Sequence, residues 1–171
     1  MSYPGNNIPG WMDKEELTWL YEQAQVMTSI VEIGSWHGRS THALLSGCRG
    51  HVVSVDNWDA ELMKPYGDAG AARKSFFDNT KEFTNLAVLE MGSLHAVEAF
   101  EDASVDMVFI DADHRHEAVK ADILSWLPKA RKLLCGHDYG ANWPGVDRAV
   151  NEIFGDKAKS IGAIWYVNLG S

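Results

Sequence analysis

Asp111, Asp113, His114 and His116 stand within six residues of one another, directly after the largely apolar run 105–110. A second run, 132–135, leads into Gly136, His137, Asp138 and Tyr139. Carboxylates and imidazoles at the mouths of buried strands are costly for structure alone and point to chemistry. Asp111, His137 and Asp138 are of the types that hold a divalent cation while leaving positions for substrate oxygens. A hydrogen-bonded polar cluster without an ion explains the same residues, and both readings stand.

Three further strand ends carry informative residues. After 29–33 comes Glu32-Ile-Gly34-Ser35-Trp-His-Gly38-Arg-Ser40-Thr41, an E-x-G-x-x-x-G turn. Gly34 permits a tight turn, and Gly38 lets backbone approach a ligand at a helix start. With fewer glycines than G-x-G-x-x-G, the turn suits a nucleoside with an amino-acid tail better than a pyrophosphate; a plain strand-to-helix turn is the alternative. After 51–55 comes Asp56, about 20 residues past the glycines, where a carboxylate accepts from ribose hydroxyls. Its register with the glycine turn favours the ribose role over a solvated turn aspartate. After 86–90 come Met91, Gly92 and Ser93, which suit the edge of an adenine ring or a helix N-cap by Ser93. His37 lies inside the glycine turn; His42, His51 and His95 read as exposed or satisfied, and His116 as facing solvent.

The elements that must position these residues alternate. Helix is expected over 13–27, with Asp13 as N-cap and Glu15 and Glu16 in the first turn, then over 38–46, from about 70 to 83, and over 94–100, 117–127 and 146–154, with Pro144 near the last start. Strands are expected at 29–33, 51–55, 86–90, 105–110, 132–135 and 164–167. A β-α repeat of this kind predicts an α/β fold, a mainly parallel sheet with helices on both faces, and places ligands at the carboxyl ends of the strands.

The chain of 171 residues reads as one domain over 1–171, with 1–28 as an N-terminal arm and helix. Its 24 acidic against 15 basic residues give a net charge of -9, without the basic stripe that binding to a nucleic-acid backbone requires. Cys48 and Cys135 form no CxxC motif and read as buried thiols of a reducing compartment. The first ten residues contain no apolar run, so neither a signal peptide nor a membrane span is expected. A cytoplasmic protein follows. The seven tryptophans fill a core or line a pocket.

Six motifs in order, VEIGSWHGRST, SVDNW, MGS, VFIDADH, DILSWLPKARKLLCGHDY and WPGVDRAVNEIFG, resemble the class I S-adenosylmethionine (SAM) dependent methyltransferases. The similarity is to the branch holding sugar and macrolide O-methyltransferases and cephalosporin-hydroxylase-like proteins. It spans roughly residues 9–169 and implies a Rossmann-like fold. It implies that Glu32, Gly34 and Gly38, with Ser35, Ser40 and Thr41 of the same turn, contact the methionine part of SAM. Asp56, followed by Asn57 and Trp58, would hold the ribose, Gly92 and Ser93 would lie near adenine, and Asp111 would border both cofactor and acceptor. In metal-dependent relatives the positions of Asp111, His137 and Asp138 bind Mg2+; His137 departs from the usual carboxylate pair and suits a softer ion, or none. His114 stands where relatives carry a basic residue three positions after the metal aspartate. Many relatives also have extra N-terminal helices or another domain over the substrate. Here the wall must come from 57–70, 139–143 or a second subunit, and a homo-oligomer stays open.

The implied reaction is in-line methyl transfer to a hydroxyl of a small molecule such as a sugar, polyketide or phenol. It requires alignment of the acceptor and removal of its proton, with Asp111 and His114 as catalytic residues. A divalent ion would lower the hydroxyl's pKa, and His114, ordinarily titrating near 6.5, would take the proton. Two alternatives remain: a SAM-binding protein without transferase activity, and a Rossmann-fold oxidoreductase, which the E-x-G-x-x-x-G turn disfavours.

Overall fold

The computed structural model describes residues 3, 5–140 and 142–170. In chain order the elements are α1 (Lys14–Ala24), β1 (Ser29–Ile33), α2 (Arg39–Gly47), β2 (His51–Val55), α3 (Ala60–Met63), α4 (Ala69–Thr80), β3 (Leu86–Leu89), α5 (Ser93–Ala96), β4 (Val105–Ile110), α6 (His116–Trp126), β5 (Ala130–Gly136), α7 (Pro144–Phe154), β6 (Lys159–Ile161) and β7 (Ile164–Asn168). The sheet order is β3-β2-β1-β4-β5-β7-β6. The first five strands in that order run parallel, and β7 pairs antiparallel with both β5 and β6.

Alternation along the strands explains the two layers of helix. Ile30, Met107, Phe109, Leu133 and Cys135 pack on one face with Leu17 and Leu20 of α1 and Leu44 of α2. Val31, Ile33, Val108, Ile110 and Leu134 pack on the other with Val119, Ile123 and Trp126 of α6 and Val146 and Val150 of α7. A strand whose two faces both meet helices must be apolar at odd and even positions alike, which is why the central runs carry no polar alternation. β1 lies between β2 and β4, so the chain crosses outward in opposite directions from this point. That is the crevice where open α/β sheets bind ligands.

Several expectations need correction. The run 105–110 is broken by Asp106, which is buried and held by Arg131, Lys132 and the Thr28 backbone and hydroxyl at the far end of the strand. The last turn of the sheet adds β6, which the sequence reading lacked: three residues on an edge offer no apolar period. No helix is expected within 57–70, yet α3 forms there as a single turn capped by Asp59. Helix α1 starts at the expected cap, with a reciprocal capping box between Asp13 and Glu16. Cys48 and Cys135 are buried and unbridged. Among the described residues no helix is long and apolar enough to cross a membrane.

Candidate active site

The glycine turn is built against the end of β4. Gly34 has φ +84, and a Cβ there would lie 2.2 Å from the Asp111 carbonyl oxygen, so no other residue fits. The Gly34 amide donates to Val55 O and the Asp111 amide to Ile33 O, which draws the ends of β1, β2 and β4 together. Gly38, left-handed at φ +88, opens α2 without a side-chain cap. Its Cβ position is 3.2 Å from the Phe76 ring.

The expected cofactor residues divide into those that face the crevice and those that brace it. Glu32 is fully buried; its carboxylate accepts from the hydroxyls of Ser35, Ser40 and Thr41. Burial raises its pKa to about 7, against the pull of those three hydroxyls. The structure thus places Glu32, Ser35, Ser40 and Thr41 inside the turn as its internal brace, with no face of Glu32 open to a ligand. Asp56 is half-buried at the end of β2. Its Oδ2 accepts from the Ser35 and Trp36 amides at 2.8 and 3.0 Å, and its Oδ1 from the Trp58 amide at 2.7 Å. It is no solvated turn residue: it fixes the glycine turn, and Oδ1, which accepts only from Trp58, keeps a lone-pair site for a ligand while Oδ2 is filled. Trp58 is buried against Phe76, its indole N–H donating to Trp36 O, while Asn57 is exposed. Ser93 does not cap its helix; Gly92 holds that position. Ser93 donates to Asp122 and accepts from Trp126 Nε1 at 2.9 Å. Beside these, Trp36 Nε1 and His37 Nδ1 are buried without a partner among the described residues. Orphaned polar atoms in a glycine turn are what a bound polar ligand would satisfy.

At the neighbouring mouth, His114 Nε2 lies 2.7 Å from Asp138 Oδ2. Asp138 adopts φ +65, in the left-handed region. Its other oxygen is 3.3 Å from His137 Nδ1. His137 is buried, with Nε2 3.4 Å from Glu16 Oε2, too loosely placed for a hydrogen bond yet close enough for charge to be felt. Burial alone would lower the pKa of both histidines. Asp138, Glu16 and Asp111 overcome it at His137, raising it to about 10, and Asp138, Asp111 and Asp113 overcome it at His114, raising it above its ordinary 6.5. Asp138 is driven low because the hydrogen bonds from His114 and His137 outweigh its burial, and Asp111 is raised to about 6 chiefly by desolvation, with His137 opposing.

Asp111, His114 and Asp138 each offer one ligand-type atom, and the three atoms lie within 4.8 Å of one another. His114, not His137, completes that group. His137 lies apart from that group, between Glu16 and Asp138, with Nδ1 4.0 Å from Asp111 Oδ1. His116 does not face solvent as expected: its ring nitrogens are 2.8 and 2.9 Å from Glu117 and Glu152.

The sequence reading missed the aromatic residues over this crevice. Trp11 stacks on Trp36, and Trp143 on His114, with centroids 4.5 and 4.2 Å apart; Tyr66 lies between, 5.6 Å from Trp11 and 6.4 Å from Trp143. Arg39 holds the N-terminal arm in place by donating to Met12 O and Ile8 O. Of the anticipated wall 139–143, Ala141 lies outside the described residues. Two surface hollows of about 500 and 470 Å³ lie elsewhere, one under α1 near Trp19 and Ile161 and one beside Asn79 and Phe83.

The fold and this crevice define a Rossmann-like α/β protein of the methyltransferase type. Residues 31–139 match the methyltransferase-domain family, and the chain belongs to it. The uncharacterized protein y4gI of Sinorhizobium fredii is 27% identical over 116 residues, 64% of this chain; the chain spans 13% of that protein's length. An O-methyltransferase from Bacillus cereus, solved with S-adenosylhomocysteine (SAH), is 20% identical with a TM-score of 0.66, covering 95% of this chain and 84% of its own. The O-methyltransferase TomG of tomaymycin synthesis from Streptomyces achromogenes, solved with SAM, is 17% identical with a TM-score of 0.69, covering 94% and 82%.

Proposed function

We propose that this methyltransferase moves the methyl group of SAM to a hydroxyl of a small molecule. The observation that carries the reading is the His114–Asp138 pair at 2.7 Å, set beside Asp111 at the mouth next to the glycine turn. The named relatives solved with SAM or SAH support the choice of cofactor. Gly34 and Gly38 admit it to the turn, Asp56 faces its ribose, and Gly92 lies toward the adenine side. SAM supplies an electrophilic methyl on a sulfonium centre. The chain's own part is to align the acceptor oxygen and remove its proton. Neutral His114, whose Nε2–H is donated to Asp138, accepts that proton at Nδ1, and Asp138 stabilises the imidazolium that results. Asp138 is in turn held by His137, whose charge is balanced by Glu16. Asp111 borders the acceptor.

A second reading of the same residues is favoured by the convergence of Asp111, His114 and Asp138 within 4.8 Å. There the three would hold a divalent cation that polarises the acceptor hydroxyl, and His114 would be a ligand instead of the base. We read residues 1–171 as a single SAM-binding domain of a cytoplasmic enzyme acting on a small molecule, with neither nucleic acid nor membrane as partner.

Transfer from methyl-labelled SAM to hydroxylated acceptors in a cell extract, followed by mass spectrometry with and without excess chelator, tests both readings. Labelled product in chelator supports the base; product only without chelator supports the cation. Saturable SAM binding with no labelled product from any extract would contradict both and leave a binding protein.

A further inference from the structure

The rings over the crevice come from separate parts of the chain: Trp11 from the arm before α1, Trp36 from the glycine turn, Tyr66 from the loop after α3, His114 from the end of β4 and Trp143 from the N-cap of α7. They form an unbroken row from the cofactor turn to the base, Trp36–Trp11–Tyr66–Trp143–His114. Packing of the core does not require them. Trp11 and Tyr66 belong to none of the buried apolar clusters, and Trp143 only borders one. Trp11 is 68% exposed. The two ends of the row are near-parallel stacks, at 19° for Trp11 on Trp36 and 29° for Trp143 on His114. A flat ring can continue or replace such a stack, and at the Trp143 end its hydroxyl would lie beside His114.

Charge narrows the ligand further. Glu16, Asp111, Asp113 and Asp138 outnumber His114, His137 and Arg115, the cationic groups paired with them. Arg39 is spent on backbone carbonyls and Lys64, two residues from Tyr66, pairs with Glu61. A phosphate or diphosphate needs an excess of cationic donors, and this wall has none.

We propose that Trp11, Tyr66 and Trp143 are the acceptor-binding wall, and that it selects a hydroxylated ring, neutral or cationic, over any acceptor carrying a phosphate. The proposal rests on the methyltransferase reading above. Stacking on aromatic faces serves a phenolic ring and the C–H face of a sugar alike, so the probes separate the two.

The test is calorimetry on the full chain saturated with SAH, titrated with catechol, methyl glucoside and UDP-glucose. At least one neutral ring is expected to bind saturably, and UDP-glucose more weakly than it. In Trp143→Ala and Tyr66→Ala the neutral probe should lose about 5- to 100-fold in affinity, the span for an aromatic stacking platform, while SAH affinity stays within about twofold. Trp143→Phe should retain most of the binding, which separates loss of the ring from loss of the fold. Tighter binding of UDP-glucose than of either neutral ring, unchanged affinity in both alanine variants, or no binding of catechol and methyl glucoside would each overturn the wall. Failure of SAH itself to bind would overturn the methyltransferase reading, and the wall with it.

Discussion

Replacing His114 by alanine tests the proposed base through two observables that move in opposite directions with pH. His114 and Asp138 are mostly buried and 2.7 Å apart, a charge-assisted hydrogen bond worth about 1.5–3 kcal/mol when the ring is protonated. The imidazole's pKa is raised, because the pull of Asp138 exceeds the effect of burial. A raised folded-state pKa means that this stabilisation is full below the ordinary 6.5 and is lost as pH rises through the folded value. Catalysis needs the neutral ring, so in excess chelator the rate should climb over the same interval, centred above 6.5. His114→Ala should cut turnover by about 10²–10⁴-fold, the usual worth of a positioned proton acceptor, and should flatten the stability-versus-pH curve there. His137, charged to about pH 10, does not interfere. The assay is labelled-methyl transfer across pH beside urea denaturation of both proteins, with the His114 ring titrated by NMR. A His114 pKa at or below 6.5, or a variant whose pH–rate profile matches the parent's, would refute the reasoning.

Other substitutions probe the turn. Asp56→Ala should weaken SAH binding by about 1.5–3 kcal/mol, the scale for hydrogen bonds to a charged group; calorimetry reads it. The same variant should melt earlier, because the Ser35, Trp36 and Trp58 amides lose their acceptor. Gly34→Ala should cost roughly 2–5 kcal/mol in urea denaturation, adding left-handed strain to overpacking against Asp111 O; a loss under about 0.5 kcal/mol would contradict the geometry. Glu32, raised to about 7, should make stability decline as pH climbs from its ordinary 4.5 to that value. Glu32→Gln should remove this slope, read as the difference between the two stability curves.

The parallel core was legible because its strands are short apolar runs ending in Gly or Asp: residues 29–33, 51–55 and 105–110 are strands with the expected limits. Residues 159–161 and 60–63 were not, since three edge residues and one helical turn leave no periodic signal. At the site, residue types were readable and directions were not. Asp138 has a left-handed backbone, its carboxylate meets His114, and His137 lies toward Glu16; none of these directions follows from the residue types. Asp56 illustrates the same limit: a carboxylate after β2 suggests a ribose, but its bonds to amides 20 and 21 residues earlier exist only once β1 and β2 pair. The aromatic wall gathers residues from across the chain, and the tryptophan count of seven could not say which of them meet.

Titration calorimetry of the purified protein with SAH, with NADH run in parallel, tests the central claim most directly. One saturable site for SAH and none for NADH is the expected result. No heat with SAH or SAM at millimolar concentration, or saturable binding of NADH in their place, would contradict the assignment of a SAM-dependent methyltransferase.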